Sequence, residues 1–305
     1  MTVKEVLEKS ILFLKNKNST SPRLDAELLI SHLLKLNRMG LYLKYDQPLL
    51  PEEIENCRNI IVERGKGTPV AYLTQEKGFY GLDFKVNSSV LVPRPETELL
   101  VEEILNYIPN YFKKLENQSA SFEFLELGVG SGCISITLAK ELLIKPNVSR
   151  LLNGELELKI DALDISASAI SIAQENADKI LQSKAKKINF LNLDAFYFEP
   201  QKNYDIIYSN PPYIAENDPN IEKNVKDFEP HLALFAKNNG LDCIIQWFKF
   251  GVSNLKPNGM IIFEIGSTQG HDVLTYVQSL NSFHDICIIK DYSGLDRFIK
   301  AVKNG

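Results

Sequence analysis

A parallel, doubly wound α/β sheet preceded by a small helical domain is the fold class this sequence predicts. Three observations carry that expectation. From about residue 122 onward, short apolar runs of strand length alternate with stretches of helical periodicity, the pattern of successive βαβ units. The first of those strands runs into a glycine-rich turn, "FLELGVGSGCI", at the place where an open α/β sheet has its ligand crevice. Residues 3–66, by contrast, show only helical spacing, as a helical bundle does.

In chain order, Val3, Val6, Leu7, Ile11 and Leu14 repeat at helical spacing. Ser21-Pro22 opens "RLDAELLISHLLKL", with Pro22 suited to a first turn. "MGLYLKYDQPLLP" is a connection, and Pro51 starts a third helix, "EEIENCRNIIVERGKG". "FYGLDFKVNSSVLVP" mixes aromatic, β-branched and turn residues, as a β-hairpin would. "RPETELLVEEILNYI" begins a helix with Pro95 at its first position, where Glu96 and Glu98 complement the positive end of the helix dipole. "YIPNYFKKLENQSAS" is polar enough for an exposed linker. The strands that follow are "FEFLEL", "ELKIDALDIS", "INFLNLD", "YDIIYSN", "GMIIFEIG", "HDICIIKD" and "DRFIKAV". Between them lie the helices "CISITLAKELL", "SAISIAQENADKI", "LDCIIQWFKFGVSNL" and "HDVLTYVQSL", and "KPNVSRLLNGE" reads as a surface insertion. The expected division is a helical domain at 1–77, a hairpin linker at 78–93 and the α/β domain at 94–305.

At 305 residues the chain has room for one large domain or two smaller ones. Hydrophobic residues make up 44% and charged residues 24%, ordinary values for a globular protein with a sizeable core. Lys and Arg total 34 against 39 Asp and Glu, a formal net charge of -5. A protein whose main task is gripping nucleic acid needs a basic surface, so this balance argues against that class and leaves room only for a local basic face. No apolar run approaches transmembrane length. "MTVKEVLEKSILFLKNK" is too charged for a secretory signal and, with acidic residues and no arginine, does not suit a mitochondrial presequence. Cys57, Cys133, Cys243 and Cys287 have no paired spacing, which predicts reduced core thiols in a cytoplasmic protein. His32, His231, His271 and His284 show no ligand spacing, and no metal is expected.

Four motifs carry chemistry. Gly128, Gly130 and Gly132 let the backbone turn sharply and approach a ligand closely. Their spacing is Gly-x-Gly-x-Gly, not the Gly-x-Gly-x-x-Gly of a dinucleotide fingerprint, and a purely structural turn stays open as an alternative. Asp164, ending "IDALD", either accepts hydrogen bonds from the two hydroxyls of a ribose or caps the helix starting near Ser166. Asp194 in "LNLDAF" either accepts from an adenine amino group or is a loop aspartate. Together these three describe a nucleoside pocket, and the absence of a Walker lysine disfavours ATP. The fourth motif, Asn210-Pro211-Pro212-Tyr213, ends the apolar strand "YDIIYS". Prolines fix φ and cannot donate, so the Asn210 amide and the Pro211 carbonyl can be held rigidly. Two such acceptor oxygens grip the two N–H bonds of a planar NH2 group, and Tyr213 can pack on its flat face. That grip aims a delocalised, weakly nucleophilic nitrogen at an electrophile.

Gly-x-Gly-x-Gly followed by Asn-Pro-Pro-Tyr resembles the S-adenosylmethionine-dependent amino-methyltransferases of adenine and of protein glutamine. The rest of the chain is more specific. "SPRLDAELLISHLL", "GTPVAYLTQEKGFYGLDFKVNSSVLVPRPETELLV", "ELGVGSGCISITLAK", "ALDISASAISIAQENA", "YDIIYSNPPYI", "FEPHLALFAKNNGLDCI", "FEIGSTQG" and "YSGLDRFIKAV" resemble, in order and over nearly the whole length, the peptide chain release factor N(5)-glutamine methyltransferases. The resemblance implies a Rossmann-like methyltransferase domain with an antiparallel last strand, and S-adenosyl-L-methionine as cofactor. It implies release factors as protein partners, with the glutamine of their Gly-Gly-Gln loop methylated on its side-chain nitrogen. By motif position, Gly128, Val129, Gly130, Ser131 and Gly132 hold the methionine part of the cofactor, Asp164 its ribose, and Asp194 with Ala195 its adenine. Asn210, Pro211, Pro212 and Tyr213 hold the substrate; Asn210, Pro211 and Tyr213 are the catalytic candidates, and Asn210 also borders the cofactor. The family often has Thr at Val129, Gly at Gln75 and a bulky residue at Ala195, where Phe196 offers a substitute ring. A nucleic-acid adenine methyltransferase and an inert scaffold binding a translation factor are the alternatives. Neither a membrane nor a stable nucleic-acid complex is expected.

Overall fold

The computed structural model describes residues 1–114, 121–144 and 157–305. The insertion expected at 145–155 and residues 115–120 of the expected linker lie outside the described residues. Two compact units emerge: Met1–Glu76 with Ile221–Phe228, and Lys77–Asn220 with Glu229–Gly305.

The first unit is helical, with helices Val3–Asn16, Pro22–Leu33, Arg38–Leu43, Pro51–Gly65 and Val70–Thr74. Thr2 and Glu5 cap the first reciprocally, and Pro22 and Pro51 start theirs. Val6, Leu7, Leu14, Leu29, Ile30 and Ile61 form its core. The buried Asp25 carboxylate is fully engaged, by Arg64 at 2.8 Å and by the hydroxyls of Ser19 and Ser21. The connection expected between the second and third long helices contains a helix of its own, because Asn37 accepts from the Gly40 N–H at 2.7 Å and caps it. Segment 221–228 carries the helix Lys223–Phe228. Gly67, at φ +114, lies so close to it that a Cβ would come within 2.6 Å of the Asn224 Oδ1.

The chain passes into the second unit through a hairpin, β1 (Glu76–Phe79) and β2 (Leu82–Lys85). Tyr80 and Gly81 both have positive φ, as the tight two-residue turn requires. The hairpin is shorter than the sequence suggests, and residues 86–94 contain no strand. The main sheet contains β3 (Ser121–Leu127), β4 (Glu157–Asp164), β5 (Ile188–Asn192) and β6 (Tyr204–Ser209). A two-stranded parallel pair follows, β7 (Ile214–Ala215) with β8 (Phe235–Ala236). The main sheet is completed by β9 (Leu255–Glu264), β10 (Phe283–Lys290) and β11 (Asp296–Lys303). Its order is β10-β11-β9-β6-β3-β4-β5. The last strand, β11, runs antiparallel to both neighbours and the remaining pairs are parallel, the doubly wound α/β class the sequence predicts. The chain begins in the middle, at β3, and winds outward to β4 on one side and β6 on the other. The switch point therefore falls at the carboxyl ends of β3 and β6, where such sheets bind ligands.

Side chains alternate across the sheet. Phe122, Phe124, Ile206, Tyr208, Met260 and Ile262 pack on one face, and Leu125, Leu127, Ile207, Ile261 and Phe263 on the other. The period of two carries Glu126 and Glu264 onto the first face, at its carboxyl edge. Cys57 and Cys243 are buried and Cys133 and Cys287 half-buried, all as free thiols. Among the described residues no helix is long and apolar enough to cross a membrane.

Tyr107–Lys114, expected as linker, instead continues the helix Glu98–Lys114 past Pro109. Ile104, Ile108 and Tyr111 share one buried stripe of that helix, and their burial outweighs the donor lost at the proline. Tyr111 donates to the Asp205 Oδ1 at 2.7 Å, while Oδ2 accepts from the Glu123 N–H at 2.8 Å and from the Lys256 Nζ at 2.7 Å. Asp205→Asn turns an amide NH2 toward at least one of these donors. The expected cost is about 1–3 kcal/mol, read as a lower urea midpoint at unchanged slope; an unchanged midpoint contradicts it.

Candidate active site

The glycine loop leaves β3 with Gly128, Gly130 and Gly132 at φ +76, +52 and +80, a region that favours glycine. It is pinned to β4: the N–H groups of Gly128 and Val129 both donate to the Leu163 carbonyl, at 2.9 and 2.8 Å. The Gly130 N–H donates to the Asp164 Oδ2 at 2.9 Å, and the Asp164 Oδ1 accepts from the Ser166 N–H at 2.9 Å. Ser166 itself, not Asp164, caps the following helix, accepting from the Ala169 N–H at 3.2 Å. Burial pushes the Asp164 pKa up, and its two backbone donors pull the other way. The glycines differ in role. A Cβ on Gly132 would lie 2.7 Å from the Ile136 side chain, so this position serves close packing; one on Gly130 would meet, among the described residues, no atom within 4 Å beyond its chain neighbours.

Gly128, Val129, Gly130, Ser131, Asp164, Asp194, Ala195, Asn210 and Pro212 line one cavity of about 290 Å³, close to the lower range of small-molecule sites. Gly132, Pro211 and Tyr213 do not line it. Beyond β5, Asp194 folds its own turn by accepting from the Phe196 N–H at 2.9 Å. The Phe196 and Trp247 rings, 6.2 Å apart, both line the cavity and make this end aromatic.

At the end of β6, the Asn210 Nδ2 lies 3.3 Å from the Thr97 Oγ1. Thr97 donates in turn to the Glu264 Oε2 at 2.7 Å, and the Tyr213 hydroxyl donates to the Glu264 Oε1 at 3.2 Å. The backbone just after the prolines is clamped as well. Gln269 donates to the Tyr213 carbonyl at 2.9 Å, and Gly240 approaches so closely that any Cβ there would collide with that oxygen. On the rim, Arg94 pairs with buried Glu229 at 2.6 Å, and the Val92 N–H donates to the same carboxylate. The arrangement suits a ligand with a flat aromatic end and a cationic end, next to a rigid acceptor for a planar NH2 group.

The chain's relatives match it over nearly its whole length. A family model for the PrmC N-terminal domain matches residues 5–74, and one for the methyltransferase small domain matches residues 110–228. The release factor glutamine methyltransferase of Koribacter versatilis is 34% identical over 304 residues, covering 99% of each chain. Its namesake from Leptospira interrogans is 36% identical over 296 residues, covering 96% of each. That of Chlorobaculum tepidum is 35% identical over 306 residues, covering 99% of this chain and 97% of its own. This chain belongs to the release factor glutamine methyltransferase family.

In this methyltransferase four residues at the site carry no assigned role in the sequence motifs. Glu126, 1% exposed, lines the cavity. Its Oε2 accepts from the Ser135 N–H and hydroxyl, while Oε1 finds no partner among the described residues. Burial pushes its pKa up to about 8. Trp247 also lines the cavity, its indole N–H without a partner among the described residues. Thr97 and Glu264 stand behind Asn210. A signal for both glutamates existed: each is an acid inside an otherwise apolar run, "FLEL" and "IIFEIG", and buried parallel strands rarely hold one without a reason. The orphaned Glu126 oxygen, the open space at Gly130 and the excess of carboxylates over the already paired Arg94 fit S-adenosylmethionine, whose ammonium and sulfonium are both positive.

Proposed function

We propose that this enzyme methylates the side-chain amide nitrogen of the glutamine in the Gly-Gly-Gln loop of peptide chain release factors, in the cytoplasm. The observation that carries this reading is the Asn210 amide, anchored at a cavity shaped for the methyl donor, in a chain that matches release factor glutamine methyltransferases over its full length. S-adenosylmethionine supplies a methyl group activated by its sulfonium. Gly128 to Ser131 and Glu126 would hold its amino-acid end, Asp164 its ribose, and Asp194, Phe196 and Trp247 its adenine. Phe196 provides the ring that Ala195 lacks. The Asn210 Oδ1 and the Pro211 carbonyl accept the two N–H bonds of the substrate amide, which aims the nitrogen at the methyl carbon. With the cofactor bound, methyl transfer to that nitrogen would leave S-adenosylhomocysteine and one amide proton. Both acceptors counter the positive charge that develops on nitrogen. Methyl incorporation into release factor, a short Gly-Gly-Gln peptide and duplex DNA, run side by side, tests the assignment; preferential labelling of DNA overturns it.

The chemistry recognises only a planar NH2 group, so selectivity needs a second surface. The helical unit supplies it in this reading. Met39 and Leu43, one turn apart on the helix Arg38–Leu43, are 68% and 81% exposed. Met39→Asp with Leu43→Asp is expected to lower kcat/KM on intact release factor by about tenfold, as loss of one apolar anchor does, without changing cofactor affinity. Equal kcat/KM rejects this surface. A chain truncated to begin near Phe79 is the weaker test, since it strips the packing partners of segment 221–228.

A further inference from the structure

Glu264 ends β9 at 1% exposure, and both its oxygens are occupied, by Thr97 and by Tyr213. An ionised carboxylate only accepts hydrogen bonds. The single hydroxyl proton of Thr97 must therefore point to Glu264, at 2.7 Å. Only a lone pair of Thr97 remains for Asn210, 3.3 Å away, and only the NH2 end of the Asn210 amide can use it. With Glu264 ionised, the proton count fixes the orientation of the Asn210 amide, with no free choice between its oxygen and nitrogen.

Resting on the reading of Asn210 as acceptor for the substrate amide, we propose that Glu264 is a positioning residue: acting through Thr97, it locks the Asn210 NH2 away from the substrate and leaves Oδ1 for the reacting nitrogen. Protonation reverses the relay. A neutral Glu264 can donate to Thr97, Thr97 then donates to the Asn210 oxygen, and the amide presents NH2 to NH2. The competent form is the ionised one.

The surroundings set where this switch falls. Thr97 and Glu96 face Glu264 from the short helix Pro95–Thr97, Tyr213 from the loop after β6, Arg297 from β11, and Cys133 from the start of the helix Cys133–Ile144. Burial disfavours the carboxylate most; the Thr97 and Tyr213 hydrogen bonds and the Arg297 charge favour it, although Asp291 already engages Arg297 at 2.9 Å. Glu96 opposes it. The balance pushes the pKa of Glu264 up to about 7. Because the ionised form is competent, kcat rises with pH through that region and levels off above it.

The test is the pH profile of kcat on intact release factor for wild type, Glu264→Gln, Thr97→Val and Thr97→Ser. Wild type and Thr97→Ser should share an acidic limb near neutrality. Glu264→Gln should lose the limb and, with Thr97→Val, show a plateau kcat lower by about tenfold or more, since misaligned reacting groups are costly. KM and the calorimetric affinity for S-adenosylmethionine should change little. In an Asn210→Ala background, Glu264→Gln should have little further effect on kcat, as expected for residues acting in one relay. A limb that persists in Glu264→Gln, an equal loss in Thr97→Ser and Thr97→Val, or full additivity with Asn210→Ala overturns the relay and leaves the Asn210 reading intact. Wild-type kcat in Asn210→Ala alone removes the reading on which the relay rests.

Discussion

Asn210→Ala is expected to lower kcat by about 10²- to 10³-fold, roughly 3–4 kcal/mol of transition-state stabilisation, with a smaller effect on cofactor affinity. The amide is half-buried at the end of a fully buried strand. Pro211 and Pro212 fix the backbone that follows it, and Gln269 and Gly240 clamp the next carbonyl, so the acceptor of the proposed reaction is in place before substrate arrives. Such preorganisation makes its loss appear in turnover more than in binding. Asn210→Asp keeps an acceptor but has no NH2 to give the Thr97 lone pair, and should fall between alanine and wild type. Single-turnover methyl transfer measures this directly. Near wild-type turnover in Asn210→Ala sinks the gripping role.

Gly130→Val should abolish the calorimetric signal of S-adenosylmethionine binding while the protein stays folded. At φ +52 any side chain is strained, by about 1–2 kcal/mol, roughly 2–8 °C in Tm for a domain of this size. Among the described residues, no atom beyond the chain neighbours lies within 4 Å of the new Cβ, so the fold tolerates it. The branched side chain enters space at the cavity wall that the cofactor occupies in the proposed reading. Gly132→Val makes the contrast: its Cβ meets Ile136 and Ala173, so it should damage stability first. Unchanged affinity in Gly130→Val would falsify the assignment of this loop.

The strands and the doubly wound order were legible because buried parallel strands read as apolar runs and their connections as helical periods. Gly130, Asp164, Asp194 and Asn210 were legible as motif residues, since each ends a strand on one edge, and the structure gathers all four around one cavity. What stayed hidden depends on partners far away in sequence. Tyr107–Lys114 reads as polar linker because nothing local shows that Tyr111 buries its ring and reaches Asp205. "KNVKDF" gives no hint that it packs with residues near Gly67. Thr97 and Glu264 stand 167 positions apart, and only the fold brings them together behind Asn210.

The membership of segment 221–228 in the helical unit has a consequence for synthesis. The ribosome releases the first 76 residues early, yet the last helix of that unit is made only after β3 to β7 of the other. Gly67 waits for Asn224 and Phe228 until the Asn210 motif has already left the tunnel. The nascent chain therefore cannot finish its two units one after the other, as strung beads do. Grafting the helical unit onto another catalytic body would have to carry both of its pieces.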